Sequence, residues 1–366
     1  MRFTFGRSLG CGALGLLVAA CSSSAPVDQF SISGGTGGGG AGGASPVTAV
    51  VGGGGATAMA GGGATAMAGG GSGGTAAVTA GTGGGGASAM GGGTGGASDM
   101  GGHNGCTPGT LSDSGTLMGP FGAKKVMAGG VEYYLQVNEW NSRNAMGGQT
   151  MSYGGDSFFK MTTQDGKVAT NGGPTGFPSL FIGANSKNTT ANSNLPKLVS
   201  SLTSVPTTWN WNDAGTLADA TANSYNATYD VWFSKNATGE PAAAAPSGSF
   251  LMVWLHKPMD AQPIGKVLYP AVTIPGVSGT WDVWIGVNEG AKVPCTSYVR
   301  TQDTLALSYD LNEFIKDAVS NRTSTGMPGG DPVLQNTWYL TNIFSGFEIW
   351  RGGVNLQTTS FCAVVN

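Results

Sequence analysis

The 366-residue chain predicts an all-β fold, a sandwich of two antiparallel sheets with one helix packed on an outer face. Three observations carry this. The strand candidates are short, numerous and separated by Gly, Pro, Asn and Asp clusters. No strand–helix alternation of the kind that builds a parallel sheet is present, and only one stretch stands out with apolar residues at helical spacing. Eight of the nine tryptophans lie between Trp140 and Trp338 and the last is Trp350, which confines the core to the C-terminal two-thirds.

Residues 1–20 read as an export signal. Arg2 and Arg7 precede an apolar run from Leu9 to Ala20 that is too short for a permanent membrane span. The run ends Val18-Ala19-Ala20-Cys21, which resembles the bacterial lipoprotein box. That resemblance implies a lipid on Cys21 and an exported protein tethered to a membrane, facing the periplasm or the cell exterior. Residues 21–105 read as the lipid-anchor cysteine and a linker whose part from Gly34 to Gly105 is mainly Gly, Ala, Thr, Ser and Met, with residues 56–63 repeated at 64–71. A segment with hardly any aromatic or large aliphatic side chains buries too little surface to offset the entropy of ordering it. It reads as a flexible tether with an r.m.s. span of roughly 45 Å.

Residues 106–366 form one domain, expected to be monomeric, with the clearest strands at 131–137, 156–163, 225–234, 249–255, 264–269, 280–286, 304–309, 338–349 and 354–364. The helix follows Asp310, a suitable N-cap, with Glu313 placed to close a capping box and Leu311, Phe314, Ile315, Ala318 and Val319 on one stripe. A net charge of -3 with 10% charged residues excludes an electrostatic grip on nucleic acid. No Cys-x-x-Cys occurs and His103 and His256 are the only histidines, so neither a metal site nor a cofactor is expected. Cys106, Cys295 and Cys362 allow one disulfide, of unassigned pairing.

The strand at 249–255 organises the domain. Alternation puts Phe250, Met252 and Trp254 on one face and Leu251, Val253 and Leu255 on the other. One face is core; the other suits the floor of a cleft or a second buried layer.

Several pieces, in order, resemble glycoside hydrolase family 12, the endo-β-1,4-glucanases and xyloglucanases with a β-jelly-roll and a single helix. Tyr134-Leu135-Gln136-Val137-Asn138-Glu139-Trp140 resembles the family's early strand with its Asn and cleft tryptophan. Pro206-Thr207-Thr208-Trp209-Asn210-Trp211 and Tyr225-Asn226-Ala227-Thr228-Tyr229-Asp230-Val231-Trp232 follow, the latter carrying the aspartate beside the catalytic pair. Phe250-Leu251-Met252-Val253-Trp254-Leu255 is similar to the nucleophile strand, with Pro263-Ile264-Gly265 after it. Ser345-Gly346-Phe347-Glu348-Ile349-Trp350 resembles the acid/base strand.

The resemblance implies a β-1,4-glucan ligand, Glu348 as acid/base, and Asn138, Trp140, Met252, Trp254 and Trp350 along the substrate face. It also implies a glutamate nucleophile where this chain has Phe250. Met252-x-Trp254-Leu255 fixes the register, and no carboxylate occurs between Glu240 and Asp260. Phenylalanine cannot attack carbon, so double displacement cannot run through this position. Three readings stay open: a sugar-binding relative without turnover, an enzyme in which another carboxylate substitutes, and an adhesion module. Asp230 is the first candidate substitute; Glu139 and Asp282 are weaker ones.

Overall fold

The computed structural model describes residues 98–99, 105–141, 148–164, 173–185, 187–237 and 245–366. The export signal, Cys21, most of the Gly-rich tether and His103 lie outside the described residues.

In chain order the first strands are β1 (Ser98–Asp99), β2 (Gly115–Met118), β3 (Ala123–Ala128), β4 (Val131–Gln136), β5 (Thr150–Gly154), β6 (Ser157–Thr163) and β7 (Ser179–Asn185). Next come β8 (Asn188–Thr189), β9 (Lys197–Leu198), β10 (Pro206–Asn212), β11 (Ser224–Tyr225), β12 (Ala227–Ser234) and β13 (Ser249–His256). The last are β14 (Lys266–Ile274), β15 (Val277–Asn288), β16 (Val293–Arg300), β17 (Ala306–Asp310), the helix α1 (Leu311–Asn321), β18 (Tyr339–Gly346), β19 (Ile349–Arg351) and β20 (Gln357–Ala363).

They form two sheets. The smaller runs β1-β17-β10-β20-β6-β5-β2; the larger runs β14-β15-β16-β13-β12-β18-β7-β4-β3, with β8 and β9 attached, while β11 and β19 make a separate pair. The ladders are antiparallel except β13–β16 and β1–β17, which are parallel. The long connection from β13 to β16, occupied by the β14–β15 hairpin, makes a parallel neighbour possible. Edge strand β3 carries Lys124 and Lys125, charges that blunt pairing with another chain.

Alternation along the larger sheet sorts the core. Leu251, Val253 and Leu255 join Tyr229, Val231 and Phe233 in the layer between the sheets, where Trp209 packs edge-on against Tyr229 with ring centroids 5.3 Å apart. Phe250, Met252 and Trp254 join Phe177, Phe181, Trp232, Phe344 and Trp350 in a second cluster on the opposite face. Both faces of β13 are thus buried.

The helix begins where the sequence places it. Asp310 accepts from Asn312 N at 2.9 Å and also from Val205 N at 2.6 Å, whereas Glu313 bonds Lys316 instead of closing a capping box. Asp310 is a shared cap for the helix and for the entry to β10, which leaves Glu313 free to pair along the helix surface. Phe314 inserts between Trp281, Tyr298 and Tyr309, so α1 covers the part of the larger sheet's core face around β15 and β16.

Cys106 and Cys362 form a disulfide, with Cα atoms 6.0 Å apart and a sequence separation of 256. A cross-link closing so long a loop removes much denatured-state entropy. Cys362→Ser is expected to cost about 2–5 kcal/mol, read as a lowered denaturant midpoint with an unchanged native circular-dichroism spectrum.

Candidate active site

Hydrogen-bond register places the sequence-predicted residues on successive rungs of the larger sheet's second face. Asn342, Trp232, Phe250 and Cys295 share one rung; Phe344, Asp230, Met252 and Ser297 the next; Gly346, Thr228, Trp254 and Val299 the third. The chain then breaks between β18 and β19, and Glu348 stands in the break. The sequence predicts one strand through 338–349 and another through 225–234; the structure interrupts both, at Phe347-Glu348 and at Asn226.

The cause of the interruption is a side-chain clamp. Asn226 Nδ2 donates to Glu348 Oε2, Glu348 N donates to Asn226 Oδ1 at 2.9 Å, and Asn226 N donates to Glu348 O at 3.0 Å. Asn226 therefore fixes both the backbone and the carboxyl of Glu348, which is fully buried. Phe347 and Ile349 turn into the inter-sheet core while Trp350 joins the second cluster, so Glu348 shares a face with Trp350 as alternation predicts. Asn226 was not among the residues the sequence singled out. The available signal was a lone amide ahead of a continuous strand.

The segment around Gly176 brings the N-terminal part of the site to Glu348. Phe177 N donates to Asn138 O, Trp140 N to Thr175 O, Thr175 N to Ile349 O and Ile349 N to Gly176 O. A Cβ at Gly176 would lie 2.7 Å from Asn138 O and 2.9 Å from Glu139 Cα, so only glycine permits this approach. Asn138 itself sits at φ 49°, is buried, and its Nδ2 has no hydrogen-bond acceptor among the described residues. Trp140 is half-buried and packs on the second cluster.

Phe250 is enclosed. Its ring meets Trp232 edge-on at 5.4 Å, and Trp232 in turn lies 5.1 Å from Phe344. Trp254 donates Nε1 to Met252 Sδ at 3.4 Å and approaches Trp350 at 6.4 Å. Phe250, Met252 and Trp254 all have 0% exposure, so the strand's second face is a packed aromatic layer.

Asp230 is the carboxyl on that face. It is fully buried, Trp232 Nε1 donates to its Oδ2 at 2.9 Å, and its Oδ1 has no partner among the described residues. Burial pushes its pKa up to about 7, with the Trp232 bond opposing the rise. The other two candidates do different work. Glu139 is buried between Asn138 and Trp140, and Asp282 accepts from Ala271 N at 2.8 Å, bracing the β14–β15 hairpin.

The Asp230 shift gives a stability prediction. A folded pKa near 7 against 3.8 for the free side chain means that the folded state holds the extra proton between those values. Stability therefore falls as pH rises from about 4 to above 7, by on the order of 4 kcal/mol. Asp230→Asn keeps an acceptor for Trp232 and cannot ionise, so its melting temperature is expected to stay level across this window while that of the parent falls.

Comparison with known proteins supports one family throughout. The sequence model of glycosyl hydrolase family 12 matches residues 131–366. A probable xyloglucan-specific endo-beta-1,4-glucanase from Aspergillus terreus is 34% identical over 170 residues, 46% of this chain and 58% of that protein. A probable cellulase from Mycobacterium tuberculosis is 29% identical over 174 residues, 47% of this chain and 98% of that one. Among solved structures, an endoglucanase from Rhodothermus marinus aligns with a TM-score of 0.57 and 28% identity over 69% of this chain and 99% of its own. A native endo-1,4-beta-glucanase aligns with a TM-score of 0.56 at the same identity and coverage. With a sandwich of this strand order, and a match from the start of β4 to the last residue, the chain belongs to glycosyl hydrolase family 12.

Proposed function

We propose that the domain is directed at β-1,4-linked glucan and cleaves it by direct displacement, with Glu348 as the general acid and Asp230 as the base that activates water. Phe250 stands where the family's nucleophile would be, so a covalent glycosyl intermediate has no residue to form on. The observation that carries this reading is Asp230, a buried carboxyl on the rung beside Phe250 with one oxygen unpartnered. A base with a pKa near the working pH is suited to taking a proton from water. Of the residues expected along the substrate face, half-buried Trp140 is the one left to meet a sugar, with Asn138, Met252, Trp254 and Trp350 buried behind it, and the glucanase and xyloglucanase names of the relatives favour a β-1,4 backbone. The protein acts as an exported monomer, lipidated at Cys21 and held off the membrane by residues 22–105.

The test is release of reducing ends from xyloglucan or carboxymethylcellulose by the purified protein, with the product anomer followed by NMR. Inverted product, and a rate that climbs with pH through about 7 as Asp230 ionises, is the expected result. Retained product would rule out direct displacement, and a rate unchanged in Asp230→Asn would rule out Asp230. Fractionation of cells carrying Cys21→Ala checks the anchor, which predicts loss of membrane association.

The packing of Phe250 favours a second reading, binding without turnover. An edge-on Phe250–Trp232 pair in a closed aromatic layer makes a stable apolar support for a sugar platform. Retention on insoluble glucan with no reducing ends released, for the parent and for Glu348→Gln alike, would favour it.

A further inference from the structure

The segment carrying Glu348 is held from both sides. In an extended chain successive carbonyls point to opposite edges, and here the Glu348 carbonyl accepts from Asn226 N while the Ile349 carbonyl accepts from Thr175. Thr175 is fully buried and aims two donors at that one oxygen, its N–H at 2.6 Å and its hydroxyl at 2.7 Å. Gln164 Nε2 donates to Thr175 Oγ1 at 3.3 Å, so the hydroxyl accepts on one side and gives its proton to Ile349 O on the other. At the far end of the same residue, the Thr175 carbonyl accepts from Trp140 N and from Asn141 N, both at 3.0 Å. One residue therefore joins the half-buried indole of Trp140 to the chain beside Glu348.

We propose that Thr175 is a positioning residue that couples the Trp140 platform to Glu348, with its hydroxyl setting where the carboxyl stands relative to a sugar on the indole. A backbone N–H alone would satisfy Ile349 O. The second donor fixes the direction of the peptide between Ile349 and Trp350, while Asn226 N and Gly176 O fix the peptide between Glu348 and Ile349. Two consecutive peptides are thus locked around the acid, and the lock on the second is shared with Trp140. A proton donor has to stand within hydrogen-bond reach of the leaving oxygen, and a misplacement of about 1 Å can lower a rate by on the order of 10²-fold. Thr175 touches neither sugar nor carboxyl and acts through Ile349. The proposal rests on the glucan-directed reading with Glu348 as the acid.

The test compares the full chain with Thr175→Val, which keeps the shape and removes the hydroxyl, and with Thr175→Ser, which restores it. On carboxymethylcellulose, Thr175→Val should lower kcat about tenfold with KM within about twofold, and Thr175→Ser should recover most of the loss. An aryl glycoside whose leaving group needs no protonation should be far less affected. A second readout needs no turnover: the Glu348 backbone amide and the Trp140 indole N–H are followed by NMR during titration with cellotetraose. Both signals should move together in the parent, whereas in Thr175→Val the Trp140 response should persist and the Glu348 response fall roughly threefold or more. Gln164→Leu, which leaves the hydroxyl with one partner fewer, should give the same pattern in weaker form and serves where Thr175→Val does not fold. Equal kcat losses on both substrates, a loss that serine does not restore, or a Glu348 response unchanged in Thr175→Val overturns the proposal. Where the parent binds without turnover, the NMR coupling alone decides. A parent whose Trp140 signal ignores cellotetraose defeats the glucan-directed reading, and the proposal with it.

Discussion

Glu348→Gln is expected to lower hydrolysis of unactivated β-1,4-glucan by 10²–10⁴-fold, the usual contribution of a positioned general acid. The substitution is close to isosteric, and the Asn226 clamp survives it. The backbone bonds between residues 226 and 348 do not involve the carboxyl, and a glutamine oxygen accepts from Asn226 Nδ2 as the carboxylate does. Melting temperature and glucan affinity should therefore stay near the parent's, which separates loss of the proton from loss of the site. An aryl glycoside whose leaving group needs no protonation should lose far less than the polysaccharide. Equal losses on both substrates would mean that Glu348 positions and does not protonate.

Phe250→Glu is the converse experiment, placing a carboxylate at the position where the family resemblance implies one. The expected result is at least a tenfold gain in glucan hydrolysis with a change to retained product configuration, because two carboxyl groups then flank the bond. It comes at a loss of stability. The ring leaves a layer in which Trp232, Met252 and Trp254 are all buried, and an acid enters it, a change worth about 3–5 kcal/mol and greatest at high pH, where the new group must ionise. Rate and thermal denaturation measured between pH 5 and 8 check both halves. A variant that folds and gains nothing would show that the surroundings of residue 250 have been repacked around the aromatic ring.

The sandwich was legible, and alternation over 249–255 told which side chains share each face of β13, but with both faces apolar it left open whether the second was a cleft floor or a buried layer. Other strands were hidden. β7 contains Gly183 at φ 106° and ends in Asn185, β16 starts Val293-Pro294-Cys295, and β3 has lysine at two of its first three residues, so each lacks the unbroken β-branched run that announces a strand. Of the candidate site, the placing of Glu348 and Trp350 on one face, opposite Phe347 and Ile349, was legible from alternation. What residue order could not give was the Asn226 clamp, whose partners are 122 residues apart, or the burial that lifts Asp230. Both depend on which strands become neighbours, and β12 lies between β13 and β18 only after the whole larger sheet has formed.

The bond between Cys106 and Cys362 also determines how the molecule carries load. If the protein is pulled from its N-terminal side while its last residues are held, tension enters at residue 106, crosses one covalent bond and leaves at residue 362 near the C-terminus. Every hydrogen-bonded ladder between those two positions is shunted out of the force path. Under that pull, the ladders between the two positions bear load only after this sulfur–sulfur link is broken or reduced.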